Sequence, residues 1–129
     1  MTKGPTLVFE STAFAFVEGE EDETSPGVFG QALAEWMRGK LEGRGVKTTM
    51  FIGEDYGLLV GIVSDPHKLY VACANADETQ TLWKVFVEME RVESGPSAQK
   101  SMDALDELHR TVKDILSTDP AVKFLRQHA

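Results

Sequence analysis

The stretch Glu54-Asp55-Tyr56-Gly57 is the first whose residue types could carry chemistry. Carboxylates at a hairpin can bind a cation or accept hydrogen bonds from a basic partner. They equally suit a turn, because Asp tolerates unusual backbone angles and bonds nearby backbone N–H groups. Gly53 and Gly57 bracket this turn, and we expect them to supply the positive φ angles that a hairpin demands. Neighbouring strand residues point to opposite faces, so Glu54 and Asp55 are not expected to act as a catalytic acid and base. The sequence therefore favours turn chemistry, with a binding site as the alternative.

A nucleophile or a metal site is harder to build from this sequence. Cys73 would need a nearby cation to lower its pKa, yet it lies mid-strand on an apolar face, where a cysteine is typically a small core residue. His67, His109 and His128 are far apart and lack metal-ligand spacing. No nucleophile elbow or glycine-rich phosphate loop is present. We expect no metal and no cofactor, and no enzyme class is favoured.

An acidic loop spans residues 17–26 and carries Glu18, Glu20, Glu21, Asp22 and Glu23. Such charge runs are usually solvated connectors, and the alternative is an anionic docking surface for a basic partner. The formal net charge of −8 argues against nucleic acid and against an anionic membrane surface. No apolar run is long enough to span a membrane, and the first residues do not resemble a signal peptide. The single cysteine excludes an internal disulfide, so we expect a cytoplasmic protein.

Residues 46–90 predict four strands joined by tight turns, and the rest of the fold is organised around them. The fourth strand shows the clearest alternation, with Trp83, Val85 and Val87 on one face and a mixed set on the other. The second strand is apolar on both faces, which indicates an interior position in the sheet. The predicted strands are Val46–Ile52, Gly57–Val63, Lys68–Ala74 and Thr81–Glu90.

The flanking segments complete the prediction. Thr6–Phe16 reads as a first strand whose apolar parity changes, which predicts a bulge near Ser11 or Thr12. Ser25-Pro26 predicts the start of a helix that ends near Gly43 or Gly45, with Trp36 in its core-facing stripe. A second helix is expected from Ala98 to Ser117, with Met102 in its apolar stripe. The segment 118–129 is expected to be a short helix or a tail.

Together these elements predict a single α+β domain over residues 1–129, in the order β-α-β-β-β-β-α. The first strand should pair beside the last strand of the meander, giving a five-stranded antiparallel sheet of order 1-5-4-3-2. Each long helix has one apolar stripe, so both helices are expected mainly on one face, as a two-layer sandwich. This order resembles the TBP-like and helix-grip folds in topology.

The turn Glu54-Asp55-Tyr56-Gly57 also resembles the Glu-Asp-Trp-Gly-Trp turn of small uncharacterised bacterial domains. Tyr56 stands where that family has its first Trp, and Leu58 where it has the second. A preceding helix and the later strand at Trp83 fit the pattern, so the resemblance covers residues 27 to 91. It implies a bacterial domain and brings no activity with it.

An apolar patch is expected on the face that the helices do not cover. Tyr70, Leu82 and Phe86 point away from the face of Trp83. If nothing covered this second face, several large side chains would be exposed to solvent. We therefore interpret the chain as a non-enzymatic interaction domain that forms a homodimer through this face. The alternatives are an immunity- or chaperone-type protein that masks a basic partner, and a small-molecule binder or motif-free enzyme with a cavity between helix and sheet.

Overall fold

The computed structural model describes residues 1–90 and 95–129. This part of the chain folds as an α+β protein, as predicted, with an antiparallel sheet. Two α-helices are present in the described residues, together with a short 3-10 helix at Glu20–Asp22. The remaining elements, in chain order, are β1 Thr2–Lys3, β2 Thr6–Glu10, α1 Gln31–Gly43, β3 Thr48–Glu54, β4 Gly57–Ile62, β5 Leu69–Asn75, β6 Leu82–Met89, α2 Pro96–Thr118 and β7 Lys123–His128.

The sheet runs β3-β4-β5-β6-β2-β7, and β1 pairs with β6 beyond the end of β2. The predicted order of the meander and of the first strand is confirmed, because β2 lies beside β6. The predicted count of five strands is wrong, since the described residues contain seven. The two additional strands, β1 and β7, come from the chain termini.

The C-terminal segment is a strand where a short helix or tail was expected. β7 pairs with β2 from Thr6↔His128 to Glu10↔Lys123, with an irregularity between Val8 and Glu10. A short isolated helix gains little in water, whereas the free edge of β2 offers a row of backbone partners. Tertiary pairing therefore overrides the local pattern in this segment.

The predicted first strand, Thr6–Phe16, ends early. β2 stops at Glu10, and Phe14 and Phe16 belong to the loop that follows. Their rings meet Trp83 edge to face, at centroid distances of 5.7 Å for Phe14 and 5.9 Å for Phe16. The change of apolar parity thus marks the end of the strand, and the predicted bulge at Ser11 or Thr12 is not the explanation.

Both helices differ from the prediction at their first residues. α1 begins at Gln31, so Ser25 and Pro26 lie in the loop that precedes it. α2 covers Pro96–Thr118, and Met102 is exposed where the predicted stripe placed it in the core. Ser101 is buried in its place. No helix among the residues that the structure describes is both long and apolar enough to cross a membrane.

The buried side chains form two groups. The larger joins α1 and α2 to one alternating set of strand residues, which we call the helix-side face: Leu7, Phe9, Leu58, Val60, Leu69, Val71, Cys73, Trp83, Val85, Val87 and Met89. The smaller consists of strand residues of the other set, which we call the opposite face: Leu59, Ala72 and Phe86, with Ile52 and Tyr70 packed against them. The predicted core position of Trp83 is confirmed, because only 1% of this residue is exposed.

Candidate functional site

The candidate site lies on the opposite face, where strand register brings distant residues together. Ile52, Leu59, Ala72 and Phe86 pair in one row across β3, β4, β5 and β6. The neighbouring row joins Tyr70 to Glu88 on one side, and Glu88 to Lys3 on the other. The sequence-predicted residues Tyr70 and Phe86 therefore share this face.

Tyr56 reaches this face from the β3–β4 turn. Its ring stacks on Phe86 with a centroid distance of 5.9 Å and an interplanar angle of 28°. Its hydroxyl donates a hydrogen bond to Glu88 Oε1. Burial, then the hydrogen bond to Glu88 and the charges of Glu88 and Glu54, raise the pKa of Tyr56 above its usual range. Tyr56 thus covers Phe86 and binds the carboxylate next to it.

Tyr70 makes a similar contact near the start of β5. Its hydroxyl donates to Glu90 Oε1 at 3.0 Å, and Lys68 Nζ lies 3.6 Å from Glu90 Oε2. Burial, followed by the hydrogen bond to Glu90, raises the pKa of Tyr70. Two tyrosines therefore donate to two carboxylates along one border of the same apolar row.

Two residues of this site were missed by the sequence interpretation. Glu88 belongs to the mixed face of the fourth predicted strand, yet only 4% of it is exposed. The sequence pattern predicts no element at Lys3, yet Lys3 Nζ lies 4.1 Å from the centroid of the Phe86 ring. The signal for Glu88 was its even position in β6, two residues after Phe86. Lys3 had no comparable signal, because a two-residue strand carries no periodicity.

The predicted hairpin at Glu54 and Asp55 forms, but its glycines act differently from the prediction. Asp55 and Tyr56 are the two turn residues between the pair Glu54↔Gly57. Gly53 and Gly57 do not have the positive φ that was expected. Each instead allows a close backbone approach: a Cβ at Gly57 would lie 2.8 Å from the Cys73 carbonyl oxygen, and a Cβ at Gly53 would clash with that of Glu23. Both carboxylates of this turn are exposed.

The acidic loop is only partly a solvated charge run. Glu20 is buried, and its Oε1 accepts hydrogen bonds from Gly30 N at 2.6 Å and Gln31 N at 2.9 Å, at the start of α1. Its Oε2 accepts from Val17 N at 2.7 Å. Glu20 therefore caps a helix whose own N-cap is a glycine. Its inclusion in an exposed docking surface is wrong.

The other acidic side chains lie nearer to solvent. Glu21 is half-buried, and its Oε2 accepts from Gly27 N at 2.8 Å. Asp22 and Glu23 are exposed. The loop touches the β3–β4 turn, since Ser25 Oγ donates to the Asp55 carbonyl oxygen at 2.5 Å. Exposed carboxylates of the loop and of the turn therefore belong to adjoining segments.

The apolar patch is less exposed than expected. Phe86 is only 8% exposed, and Leu82 is half-buried and lies outside the Leu59–Ala72–Phe86 group. Large exposed apolar side chains instead mark the β3–β4 side, where Met50 is 70% and Val63 55% exposed. These residues line an open groove of about 390 Å³ together with other residues of that side: Thr49, Ile52, Ile62, Ser64, Asp65, His67, Lys68, Leu69, Tyr70 and Glu90.

The remaining candidate residues have structural contacts. Cys73 is fully buried, and burial raises the pKa of its thiol, which opposes a nucleophilic role. His67 Nδ1 lies 2.7 Å from Ser101 Oγ, and His109 Nε2 lies 3.1 Å from Gln127 Oε1. His128 is exposed at the end of β7. Within residues 1–90 and 95–129, no three His, Cys, Asp or Glu side chains are grouped to hold a metal ion.

Leu59, Ala72 and Phe86 are already buried, so a partner would meet the exposed groove at Met50 and Val63, which Tyr70 and Glu90 also line. Apolar area supplies contact, and the fixed hydrogen-bonding groups at its edge supply orientation. Comparison with known proteins gives no further guide to what binds there. No protein-family model, no curated protein and no solved structure matches this chain.

Proposed function

We propose that this chain is a non-enzymatic interaction domain that binds through the opposite face of its sheet, with a second copy of itself as partner. The observation that carries the proposal is the 70% exposure of Met50, which lines a groove together with Ile52 and Tyr70 of that face. Both helices pack with the helix-side set of strand residues. We take this as support for a two-layer arrangement that leaves the opposite face available.

A pair of identical faces suits a twofold dimer, because each copy supplies the same exposed apolar side chains, Met50 and Val63. A stable contact of this kind should bury at least about 1,000 Å² in total. The groove at Met50 and Val63 extends the row towards the edge strand β3. Phe86 would lie under this contact, since Tyr56 already covers its ring.

Sedimentation velocity of the wild type from about 5 to 100 µM tests the dimer, with two methionine variants as a matched pair. Met50→Glu places a charge in the proposed contact and should yield a folded monomer, because a desolvated charge is costly in an interface. Met102→Glu makes the same change on α2, at a residue that is 38% exposed, and should leave self-association intact. A wild type that sediments as a clean monomer at tens of micromolar contradicts the dimer.

A masking function towards a basic protein is the second candidate. It is supported by the contact between the acidic loop and the β3–β4 turn, which brings Asp22 and Glu23 near the segment of Glu54 and Asp55. Asp22→Asn with Glu23→Gln should weaken such a complex at low salt. Binding to a basic partner that ignores both salt and these substitutions would exclude this candidate.

A helix–sheet cavity for a small molecule or an unrecognised reaction has less support. A cleft of about 520 Å³ is open to solvent and lies where β2 ends and β7 begins. Its lining includes Glu10, Ser11, Lys123 and Phe124. We place our proposal on the opposite face for this reason, and a ligand that co-purifies with the protein would reverse that preference.

Three wider predictions accompany the proposal. Relationship to the bacterial domains with a Glu-Asp-Trp-Gly-Trp turn is supported by the position of Glu54–Gly57 at a two-residue turn between strands. The topological resemblance to TBP-like and helix-grip folds stays a prediction as well. A cytoplasmic location is supported by the single buried cysteine, which needs no oxidising compartment.

A further inference from the structure

A cation already lies on the opposite face, and it comes from the chain itself. Lys3 Nζ lies 4.1 Å from the centroid of the Phe86 ring. Lys3 stands directly across from Glu88 in the strand register, and Tyr56 stacks on the same ring while donating to Glu88. An ammonium over an aromatic face is an arrangement that recognises cationic side chains, and here the strand register places the Glu88 carboxylate in the adjoining row.

The two residues that flank Phe86 on the same face of β6 carry opposite charges. Glu88 and Lys84 are its neighbours on the same face of β6, because side chains alternate along a strand. Glu88 is buried, whereas Lys84 is half-buried and lines a cleft with Tyr56 at the other end. A cation is therefore favoured only at the Glu88 end, which is where Lys3 lies.

The segment that delivers Lys3 is held by few contacts. β1 consists of Thr2 and Lys3, and within the described residues it pairs with Met89 and Glu88 of β6. Gly4 N donates to the Val87 carbonyl oxygen at 2.8 Å. Lys3 is exposed, and its Nζ donates to Thr6 Oγ1 at 2.7 Å. Short strands with so few buried contacts open at little cost in free energy.

We propose that Tyr56, Phe86 and Glu88 form a recognition site for a lysine or arginine side chain of a basic segment from another protein. That segment pairs with β6 in place of β1, and Lys3 occupies the site in the free chain. Backbone pairing supplies affinity and the cation supplies specificity, as in other cases of strand addition. The net charge of −8 favours the approach of a basic segment. This inference rests on the proposed function, because it uses the same face.

The test uses the full chain and two capped peptides as probes. One peptide has the sequence Gly-Thr-Lys-Gly-Thr, and the other has Gln in place of Lys. Titrations followed by amide NMR shifts at Val87 and Met89 give the two Kd values. Lys3→Gln removes the internal competitor and should bind the lysine peptide roughly 3- to 30-fold tighter than the wild type does.

Two further variants serve as controls. Lys47→Gln makes the same charge change at an exposed residue outside the site and should bind like the wild type. Phe86→Leu, combined with Lys3→Gln, keeps an apolar side chain but removes the ring, so the preference for lysine over glutamine should disappear. Urea melts of each variant establish that the fold is retained.

Equal affinity for the two peptides, or no gain in Lys3→Gln over Lys47→Gln, overturns the proposed site. Sedimentation of the same samples separates this outcome from failure of the dimer. If the wild type dimerises but binds the two peptides equally, the cation site is excluded and self-association is supported. If the wild type is a monomer that binds the lysine peptide more tightly, the dimer is excluded and the cation site is supported. If the wild type dimerises and Lys3→Gln does not, the site binds Lys3 of a second copy. The proposal of a separate basic partner would then be overturned.

Discussion

The two faces of β6 are buried by different means. On the helix-side face, Trp83, Val85 and Val87 are at most 1% exposed and pack among apolar side chains of α1, α2 and the sheet. On the opposite face, Phe86 and Glu88 are 8% and 4% exposed, and a turn tyrosine and an N-terminal lysine lie over the Phe86 ring. One strand thus has a core side and a side covered by side chains from a turn and from β1. The first kind of burial comes from packing with the two helices, and under our proposal a partner replaces part of the second.

The largest effect should come from the helix-side face. Trp83→Ala removes a side chain that contacts Phe14 and Phe16 and whose Nε1 donates to the Ser11 carbonyl oxygen at 3.2 Å. We expect a loss of about 3–5 kcal/mol in the free energy of unfolding, from lost burial and the cavity left behind. Urea melts measure it, and a loss under about 1 kcal/mol would contradict the core position of this residue.

The matching substitution on the opposite face should cost less. Phe86→Ala truncates a side chain of the same strand, β6. This side chain belongs to the group of three buried residues on the opposite face. Because Tyr56 and Lys3 can collapse into the space, we expect a loss of about 1–3 kcal/mol, below the usual range for a core phenylalanine. Urea melts run beside Trp83→Ala give the comparison. Equal losses would mean that the opposite face is a second core and not a binding surface.

Removing one tyrosine hydroxyl tests how much its hydrogen bond to a carboxylate contributes to the free energy of unfolding. Tyr56→Phe keeps the ring on Phe86 but removes the donor to Glu88, so it should cost about 1 kcal/mol. Tyr70→Phe removes the donor to the exposed Glu90 and should cost less. Chemical unfolding of the two variants compares a buried with an exposed acceptor. A larger loss in Tyr70→Phe would contradict the described burial of Glu88.

The raised pKa of Tyr56 predicts a loss of stability in alkali. An unfolded tyrosine ionises near pH 10, whereas the folded one keeps its proton to higher pH. The folded state therefore binds more protons above about pH 10, and the free energy of unfolding falls as the pH rises. We expect a steeper fall in the wild type than in Tyr56→Phe, measured by urea melts at several alkaline pH values. Identical slopes would show that Tyr56 ionises as it does when unfolded.

The smallest effect is expected in the acidic loop. Asp22→Asn with Glu23→Gln should leave the Tm nearly unchanged, because both side chains are exposed. Glu20→Gln is the internal contrast, since it disturbs a carboxylate that accepts three backbone hydrogen bonds, and it should lower the Tm clearly. Thermal melts decide between them. A similar Tm for all variants would remove the capping role of Glu20.

Local patterns in the sequence were sufficient to predict the four-stranded meander. The alternation at Trp83, Val85 and Val87 and the two-sided apolar run at Leu58–Ile62 correctly predicted β6 and β4. These signals depend only on which faces a strand buries. The Asp55-Tyr56 turn followed from turn composition, although its glycines serve close packing and not positive φ.

The termini and the polar groups depended on contacts that sequence patterns do not carry. β7 exists because β2 has a free edge, and Phe124 within it has a φ of 55°, which no periodicity indicates. Glu20 caps a helix that begins eleven residues later. Glu88 is buried, and it accepts a hydrogen bond from Tyr56, 32 residues away. Burial of polar side chains is decided by such long-range geometry, so the site could be located in part and its chemistry could not.

Oxidation of the methionines by dilute hydrogen peroxide tests the binding role of the opposite face most directly. Met50 and Met102 are exposed on different sides of the wild-type protein, and Met37 is fully buried as an internal reference. Rates read by peptide mass spectrometry at 1 µM and 100 µM compare the free and the associated chain. We predict that Met50 oxidation slows at the higher concentration while Met102 is unchanged. A Met50 rate that does not depend on concentration, or protection of Met102 instead, would contradict self-association through the opposite face.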